Sequence, residues 1–283
     1  MHPDQIAWGH SASRRGIDSA VLEIVSTHRL RLRVGQLWID CLTFNEALAE
    51  IERLVEARDG GFVFTPNVDH VVMAETNGQF REAYQAAGLS LADGQPLVWV
   101  SRLLGMALPE RIAGSDLVVP LMQRAARRNW KVYLLGAAPG VADFAATQLI
   151  TRYGVQIAGA QAPAISIVPQ QDEPTVLARL RAAKPDLALI ALGSPKQEIW
   201  IHRIAKAIHP TVAIGVGASF DFIAGRVRRC PRWIAAAGLE WVFRMTQQPR
   251  LMGRYLLRDP KFVPILVRTM MLPRAERVTN TSR

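Results

Sequence analysis

Asp93 is the residue whose type and position best suit acid–base chemistry. It directly follows the apolar stretch 89–92 and precedes Gly94, so it stands where a short buried strand is expected to end. Burial beside apolar residues raises the pKa of a carboxyl group, which makes the carboxylate a better general base. An Asp-Gly pair is equally typical of an ordinary turn. Taken alone, the pair leaves a catalytic and a purely structural role equally open.

Three other polar segments also follow apolar stretches. The sequence T-P-N contains Thr65 and Asn67, and L-G-S-P-K-Q-E places Gln197 where a strand runs into a helix. Hydroxyl and amide groups at such positions can hydrogen-bond a polar ligand. The first segment alone is more typical of a turn with an asparagine cap. The second contains more polar residues than a simple connector needs, which favours a functional role. Asp221, in the small-residue segment 215–225, could accept hydrogen bonds from a ribose or another sugar.

Two segments have the features of anion-binding sites. Arg111 precedes G-S-D at 114–116, where a helix is expected to begin, and a cation beside helix N–H groups attracts phosphates. Gly136, Ala137 and Gly140 lie between a predicted strand and a predicted helix, and glycines there let the backbone approach a diphosphate. Neither motif is specific alone. The first is also explained by a surface arginine with a helix cap, and the second by an ordinary tight turn.

The elements that must position these residues alternate along the chain. Apolar stretches typical of strands buried on both faces cover residues 34–39, 62–65, 89–92, 131–135, 155–160, 187–192 and 212–216. Amphipathic patterns predict helices over residues 44–58, 116–128, 141–153, 174–183 and 196–207, with Thr43 and Ser115 as N-caps. This alternation predicts an α/β fold with a Rossmann-like open parallel sheet and helices on both faces. Ligands of such sheets bind beyond the carboxyl ends of the strands, which is where the motifs above lie.

The composition excludes several classes of protein. With 49% hydrophobic and 20% charged residues, the chain is globular rather than disordered. Its two cysteines are too few for a disulfide framework, no signal peptide opens the sequence, and no stretch approaches the ~20 apolar residues of a membrane span. The sequence contains no D-x-D triplet, no histidine–cysteine cluster with metal-ligand spacing and no G-x-S-x-G motif. We therefore expect a cytoplasmic protein with neither a metal site nor a serine-hydrolase triad.

The charge is divided unevenly along the chain. The net charge is +10, and residues 226–283 hold 13 basic and 3 acidic residues, so residues 1–225 are neutral overall. We therefore predict an N-terminal extension at 1–33, a Rossmann-like domain at 34–225 and a helical basic C-terminal appendage at 226–283. A basic segment of this kind indicates an anionic partner, such as a membrane, a nucleic acid or a phosphorylated substrate.

The appendage is predicted to contact an anionic membrane surface. Between residues 233 and 257, aromatic and aliphatic residues are mixed with arginines, a combination typical of helices at the bilayer interface. Arg250, Arg254 and Arg258 recur every four residues, so they would share one face of a helix. Each basic side chain near an anionic leaflet adds about 1 kcal/mol of attraction. The alternative is an amphipathic helix that packs on the body and exposes its basic face to solvent.

The order of the motifs is more specific than any one of them. The chain carries, in this order, T-P-N, L-A-D-G with a following V-W, E-R-I-A-G-S-D-L, L-L-G-A-A-P-G, L-G-S-P-K-Q-E, G-V-G-A-S-F-D-F-I-A-G and G-L-E-W-V-F-R-M with Q-P-R-L-M-G-R-Y. This series, from about Val34 to Tyr255, resembles the WecG/TagA/CpsF family of glycosyltransferases. The resemblance implies an inverting transfer, without metal or other cofactor, from a UDP-sugar to an undecaprenyl-diphosphate-linked saccharide in bacterial cell-surface polysaccharide biosynthesis. It also implies a peripheral protein at the cytoplasmic face of the inner membrane, and leaves a homo-oligomer possible.

The resemblance further implies roles for individual residues. Asp93 would be the general base, and the sugar site would be lined by Thr65, Asn67 and Gln197. The remaining roles are Arg111 at the phosphates, Asp221 at the nucleoside, and Arg244, Arg250 and Arg254 at the diphosphate of donor or acceptor. The sequence departs from the family's usual pattern at Gln95-Pro96 and at Cys230, and the first departure puts the choice of sugar or acceptor in doubt. Relatives use N-acetylmannosamine, its uronic acid or glucose, so the sugar stays open.

Two functions of other classes share some of these features. A Rossmann-type oxidoreductase would carry G-x-G-x-x-G after its first strand and an acidic residue about 20 residues later, and neither accompanies the stretch 34–39. A basic nucleic-acid-binding protein would use the C-terminal appendage, but the body contains no known nucleic-acid motif. We therefore expect no nucleic-acid partner.

Overall fold

The computed structural model describes residues 28–169, 171, 173–231, 234, 239–247 and 252–282. In these residues the strands are β1 (His28–Val34), β2 (Leu37–Asp40), β3 (Gly61–Phe64), β4 (Leu89–Ser90), β5 (Lys131–Gly136), β6 (Gln156–Gln161), β7 (Leu187–Ala191), β8 (Val212–Gly215) and β9 (Val278–Ser282). The helices are α1 (Phe44–Glu56), α2 (Val68–Thr76), α3 (Gly78–Gln85), α4 (Gln95–Leu103), α5 (Gly114–Arg128), α6 (Val141–Tyr153), α7 (Glu173–Ala183), α8 (Lys196–Ile208), α9 (Ser219–Ile223), α10 (Glu240–Gln247), α11 (Phe262–Met271) and α12 (Arg274–Arg277). A π-helical turn at Arg254–Arg258 and a 3₁₀ turn at Asp259–Lys261 precede α11.

The main sheet is parallel and open. Among the described residues it contains six strands in the order β4-β3-β8-β7-β5-β6, with every neighbouring pair parallel. The carboxyl ends of all these strands therefore lie along one edge of the sheet. The chain passes from β3 to β4 at one side of the sheet and from β5 to β6 at the other, and β7 and β8 then fill the space between them.

Helices cover both faces of this sheet because its strands bury alternate side chains in opposite directions. In β7, Leu187 and Leu189 belong to one core, which includes residues of α1, α5 and α6. Ala188 and Ile190 belong to the other core, which includes residues of α2, α3, α4 and α8. The predicted α/β fold, with helices on both faces of a parallel sheet, is confirmed.

The beginning of the chain folds differently from the prediction. A single strand was expected over residues 34–39, but Gly35 and Gln36 form a turn between β1 and β2. Gly35 has φ +60°, a conformation that glycine adopts at little cost. In the described residues, β1, β2 and β9 form an antiparallel sheet in the order β2-β1-β9. Buried Asp40 joins this sheet to the main one, because its Oδ2 accepts a 2.7 Å hydrogen bond from the Ser90 N–H.

The C-terminal segment packs against the body through α11 and β9. Phe262 and Ile265 are buried in the core that also contains α2. Two bonds of 2.6 and 2.7 Å join Arg268 Nη2 to the carboxylate of Glu75, and the Gly35 N–H donates to Thr269 Oγ1 over 3.0 Å. β9 pairs with β1, and the strand β1 extends across the predicted boundary at residue 33. The antiparallel sheet thus links the two terminal segments that the sequence separates.

Parts of the predicted membrane helix lie beyond what the structure describes. Trp233, Pro249 and Arg250 are outside the described residues. Arg254 and Arg258 begin and end a π-helical turn, where the spacing of the arginines predicted a helix with one basic face. None of the described helices combines the length and the apolar character needed to cross a membrane.

Candidate active site

Asp93 lies at the carboxyl end of β4, between β3 and the start of α4. Its N–H donates a 2.7 Å hydrogen bond to the carbonyl of Pro66, which holds the loops after β3 and β4 side by side. Gly94 follows as the N-cap residue of α4, with φ +131°, a conformation that favours glycine. The Asp93 side chain is 26% exposed. It is therefore partly desolvated and still open to a substrate.

Arg111 connects Asp93 to the first turn of α5. The Ile112 N–H donates to the carbonyl of Ala92 over 2.7 Å, which brings the segment before α5 beside Asp93. Arg111 Nη1 is 3.6 Å from Asp93 Oδ1, and Arg111 Nη2 donates to Asp116 Oδ2 over 2.8 Å. The guanidinium thus lies between the carboxylates of Asp93 and Asp116.

The N-terminus of α5 approaches β3 and β8 closely. The helix begins at Gly114, and its N-cap is Ala113, which makes no side-chain capping bond. Ser115 is therefore not the N-cap, and that prediction was wrong. A Cβ on Gly114 would lie 3.0 Å from the Gly215 carbonyl oxygen and 3.1 Å from Thr65 Oγ1, so a larger residue would require these neighbours to shift. The predicted N-cap Thr43 is confirmed, because it forms a capping box with Glu46 at the start of α1.

A cavity of about 680 Å³ opens beside Arg111 and Asp116. Its wall joins the start of α5, the segment around α9, and α10 of the C-terminal appendage. The cationic side chains of the wall come from Arg111, Arg228, Arg229 and Arg244, and aromatic ones come from Phe44, Phe222 and Phe243. This is a concave, positively charged site with aromatic surfaces, the combination that binds an anionic nucleotide or a diphosphate.

Two of these arginines are held in place by the body of the protein. Arg229 Nη1 is 3.2 Å from Asp116 Oδ1, and Arg229 Nη2 donates to the Ser115 carbonyl over 2.6 Å. The guanidinium groups of Arg229 and Arg244 lie 5.7 and 5.9 Å from the centre of the Phe222 ring. At these distances a cation is attracted to an aromatic face. The cavity therefore has a preorganised positive wall.

α10 is joined to the same wall by two hydrogen bonds. Gln247 Oε1 accepts from the Arg228 N–H over 2.9 Å, and Gln247 Nε2 donates to the Arg228 carbonyl over 3.0 Å. The appendage thus contributes directly to the cavity through Arg244, and the contact of Arg244 with a diphosphate stays a prediction. Arg250 lies outside the described residues, and Arg254 begins the π-helical turn.

Thr65 and Asn67 stand beside Asp93, but Asn67 also has a structural task. Thr65 Oγ1 lies against the first residue of α5, as described above. Asn67 is the N-cap of α2, and its Oδ1 accepts from the His70 N–H over 3.3 Å. His70 Nδ1 is in turn 2.7 Å from the hydroxyl of Tyr84. T-P-N can therefore form the turn that caps α2 and also offer polar groups to a ligand, because this turn lies at the carboxyl end of β3.

Gln197 lies at the same edge of the sheet, but it is buried, with only 5% of its surface exposed. Its Nε2 donates to Glu198 Oε1 over 3.0 Å, and its Oε1 accepts from the Gly217 N–H over 3.0 Å. The amide lies flat on Gly215, where a Cβ would come within 2.3 Å of Nε2. Gln197 thus binds the loop after β8 rather than presenting both ends of its amide to the cavity.

The glycine-containing turn after β5 lies farther along the sheet. A Cβ on Gly136 would be 2.5 Å from the carbonyl oxygen of Ala191, so the glycine is required by the packing of β5 on β7. Ala137 has φ +62°, and its N–H donates to the same carbonyl over 2.8 Å. Gly140 caps α6 with φ +76° and has open space around its Cα. The predicted strand–turn–helix arrangement is present, and its phosphate-binding role stays a prediction.

Asp221 lies on the short helix α9, one residue before Phe222, which lines the cavity. The sequence interpretation missed several wall residues, namely Phe44, Phe222, Arg228 and Arg229. The basic run R-V-R-R at 226–229 was the available signal, because it begins the part of the chain that holds the whole net charge. Among the described residues, no three or more histidine, cysteine or acidic side chains cluster in a way that could hold a metal ion.

The amino-acid sequence matches one known family over most of its length. The profile of the "Glycosyl transferase WecG/TagA/CpsF family" matches residues 32–276. The chain belongs to this family. It is therefore a glycosyltransferase, and the expectation drawn from the order of the motifs is confirmed.

A similar protein supports the same assignment. The chain is 31% identical over 215 residues to the N-acetylglucosaminyldiphosphoundecaprenol N-acetyl-beta-D-mannosaminyltransferase of Bacillus spizizenii. The match covers 76% of this chain and 81% of that protein. The matched family profile extends past α10 and α11, so the part of the appendage that lines the cavity is within it.

Proposed function

We propose that this glycosyltransferase moves a sugar from a UDP-sugar to a saccharide linked to undecaprenyl diphosphate, with inversion at the anomeric carbon and without a metal ion. The observation that carries the proposal is the position of Asp93. Its partly exposed carboxylate is 3.6 Å from Arg111, and Arg111 lines a cavity with three further arginines. A base and a cluster of cations side by side are what a single displacement at a nucleotide sugar requires.

The carboxylate would act on the acceptor. Asp93 takes the proton from the acceptor hydroxyl as its oxygen bonds to the anomeric carbon, and the bond from that carbon to the UDP oxygen breaks on the opposite face. One displacement inverts the configuration. The transition state should have the character of an oxocarbenium ion, as in glycoside hydrolysis. One carboxylate is sufficient for this reaction, because no covalent intermediate has to form.

The arginines would act on the leaving group. Negative charge develops on the UDP as the bond breaks, and fixed cations stabilise that charge in the transition state. Arg111 and Arg229 are held by Asp116, and Arg229 and Arg244 lie over Phe222, so little reorganisation is needed when the charge develops. Three arginines can thus take the part that a divalent cation takes in metal-dependent transferases. Full activity in EDTA, with no gain on adding manganese, is expected, whereas a strict requirement for a metal would contradict this part.

Our proposal for the acceptor and the sugar is based on the relative named above. That protein's name describes transfer of N-acetyl-β-mannosamine to N-acetylglucosamine on undecaprenyl diphosphate. We propose the same lipid-linked acceptor class for this chain and take UDP-N-acetylmannosamine as the first donor to test. The departure at Gln95-Pro96 lies at the first turn of α4, directly after Asp93 and Gly94, where it can change the fit of either sugar.

We also propose that the protein works as a peripheral protein on the cytoplasmic face of the inner membrane. On α11, Val263, Val267 and Met271 are 61, 51 and 82% exposed and recur every four residues, so they form one apolar face. Lys261 precedes this helix and Arg274 follows it. An apolar helix face between basic side chains fits the interface of an anionic bilayer.

The deciding experiment is a donor screen. The purified protein is incubated with a synthetic lipid-diphosphate-linked N-acetylglucosamine and a panel of UDP-sugars, and free UDP and the glycosylated lipid are both measured. One donor should give UDP and product in equal amounts, and only with the acceptor present. UDP release from every donor alike, without glycosylated lipid, would contradict the proposal.

A further inference from the structure

Glu198 is a buried acid for which the proposed reaction has no direct use. It lies in the first turn of α8 and is 1% exposed. Burial raises the pKa of its carboxyl group to about 7, although hydrogen bonds from its own N–H, the Ser194 hydroxyl and the Gln197 amide act in the opposite direction. Buried carboxyl groups are costly and are rarely kept without a partner that needs them.

The partner of Glu198 is the amide of Gln197. The NH₂ end of an amide only donates hydrogen bonds, and here it points to Glu198 Oε1, at 3.0 Å. The carbonyl end must then point the other way, and it accepts from the Gly217 N–H at 3.0 Å. The absence of a side chain on Gly215 gives the amide its place. Each end of the amide thus has one partner, and Glu198 determines which end faces the loop.

The loop that is held in this way forms part of the cavity wall. Gly217 connects β8 to α9 with φ +53°, and the next residue, Ala218, lines the cavity. Phe222, on which Arg229 and Arg244 rest, follows on α9. A change in the position of the Gly217 N–H would therefore move the surface that positions two of the arginines.

We propose that Glu198 is a positioning residue for sugar transfer. It orients the Gln197 amide, the amide holds the Gly217 N–H, and this fixes the loop that carries the aromatic support of the arginine wall. The inference rests on the proposed function only where it states that Glu198 affects the rate of sugar transfer. The mechanical part, from Glu198 to Gly217, can be tested without a substrate.

Among the described residues, charged and titratable groups of two neighbouring helices, α2 and α3, act on or respond to Glu198. Asp69 of α2 raises its pKa and is itself paired with Arg258 at 3.2 Å. Tyr84 of α3 is fully buried, and the charges of Glu198 and Asp93 add to the burial that raises its pKa. Its hydroxyl is bonded to His70, at 2.7 Å. The pH profile of a Glu198 variant must therefore be compared with that of the wild type, since both proteins contain these neighbours.

Amide hydrogen exchange tests the mechanical part. Glu198→Ala removes the acceptor of the Gln197 NH₂ group, and exchange in a peptide that contains Gly217 should become about tenfold faster or more, the worth of one buried hydrogen bond. Glu198→Gln keeps a carbonyl oxygen at the same position, so exchange should stay within about threefold of the wild type. The matched control is Glu50→Gln, which changes another buried acid, on α1 beside Arg53, and should leave this peptide unchanged.

A double-mutant cycle tests the consequence for transfer. Glu198→Ala and Gln197→Ala should each lower kcat/KM by about tenfold, chiefly through the KM of the donor, and the double variant should be no worse than Gln197→Ala alone. Glu198→Gln should restore most of the lost kcat/KM. It should also remove an ionisation near neutral pH from the profile of kcat/KM, which a variant with only a packing defect would retain.

The outcomes separate this inference from the proposed function. Additive losses in the double variant, unchanged exchange at Gly217 in Glu198→Ala, or a Glu198→Gln variant as impaired as Glu198→Ala would each overturn the role of Glu198. If Glu198→Ala fails to fold, Gln197→Ala decides, because it must expose the Gly217 N–H to exchange. If the wild type transfers no sugar at all, the proposed function fails while the exchange experiment still decides the role of Glu198.

Discussion

Replacing Asp93 by Asn tests the proposed mechanism most directly. The substitution keeps the shape of the side chain and removes its ability to accept a proton. A general base accelerates a reaction by roughly 10²–10⁴-fold, so kcat should fall by that factor. The loss corresponds to about 3–5 kcal/mol of activation free energy.

The structure separates this loss from a loss of stability. Asp93 and Arg111 are 3.6 Å apart, and their side chains are 26 and 22% exposed. An ion pair with this exposure contributes at most about 1 kcal/mol to the free energy of unfolding, because water screens it. Arg111 also retains its 2.8 Å bond to Asp116 in the variant. We therefore expect a drop in kcat of at least about a hundredfold, with a change in unfolding free energy below about 1 kcal/mol.

The assay measures the glycosylated lipid at saturating donor and acceptor, and urea unfolding gives the stability of the same preparations. Asp116→Asn is the matched control, since it removes the other carboxylate bonded to Arg111 and leaves the base intact. Its effect should lie in the KM of the donor. A kcat of Asp93→Asn within about tenfold of the wild type would remove Asp93 from the role of base.

Three further predictions follow from the cavity, the appendage and the buried acid. Arg229→Ala should weaken the binding of UDP by about tenfold or more in calorimetry, since a charge-assisted contact is lost. The exposed Arg181→Ala is the control, and an unchanged Kd for Arg229→Ala would exclude a contact with the nucleotide. Val267→Glu should reduce co-sedimentation with anionic vesicles at low salt, whereas Val168→Glu, at another exposed apolar residue, should not; equal binding by both would exclude α11 as the contact. Because the native protein keeps the proton of Glu198 between pH 4.5 and about 7 while the unfolded chain loses it, stability should fall as the pH rises through this window. Glu198→Gln should flatten that slope in thermal unfolding, and a slope equal to that of the wild type would contradict the raised pKa.

Much of the main sheet could be predicted from local sequence. Continuous apolar runs bounded by polar residues marked β5, β7 and β8, since strands buried on both faces need no polar side. The amphipathic pattern of α6 gave its bounds, Val141–Tyr153, because one face of that helix is buried and the other is exposed. The helices α2, α3 and α4 escaped prediction, because each is only eight or nine residues long and the polar motifs at their starts read as turns.

The position of the candidate base could also be predicted, because a parallel strand that ends in a polar residue brings it to the ligand-binding edge. The ordered motifs determined the family. They could not determine that Gln197 is buried under the loop after β8, because its burial depends on the missing side chain of Gly215, 18 residues away in sequence and on another strand.

Only the tertiary structure decided which distant segments share the site. The order β4-β3-β8-β7-β5-β6 and the pairing of β1 with β9 depend on contacts between residues far apart in the chain, for which local patterns carry no signal. The contact of Arg229 with Asp116 also joins residues far apart, 113 positions in the chain. This contact places the basic run at 226–229 in the wall of the cavity. Residue type determined which side chains could do chemistry, and packing determined which of them meet.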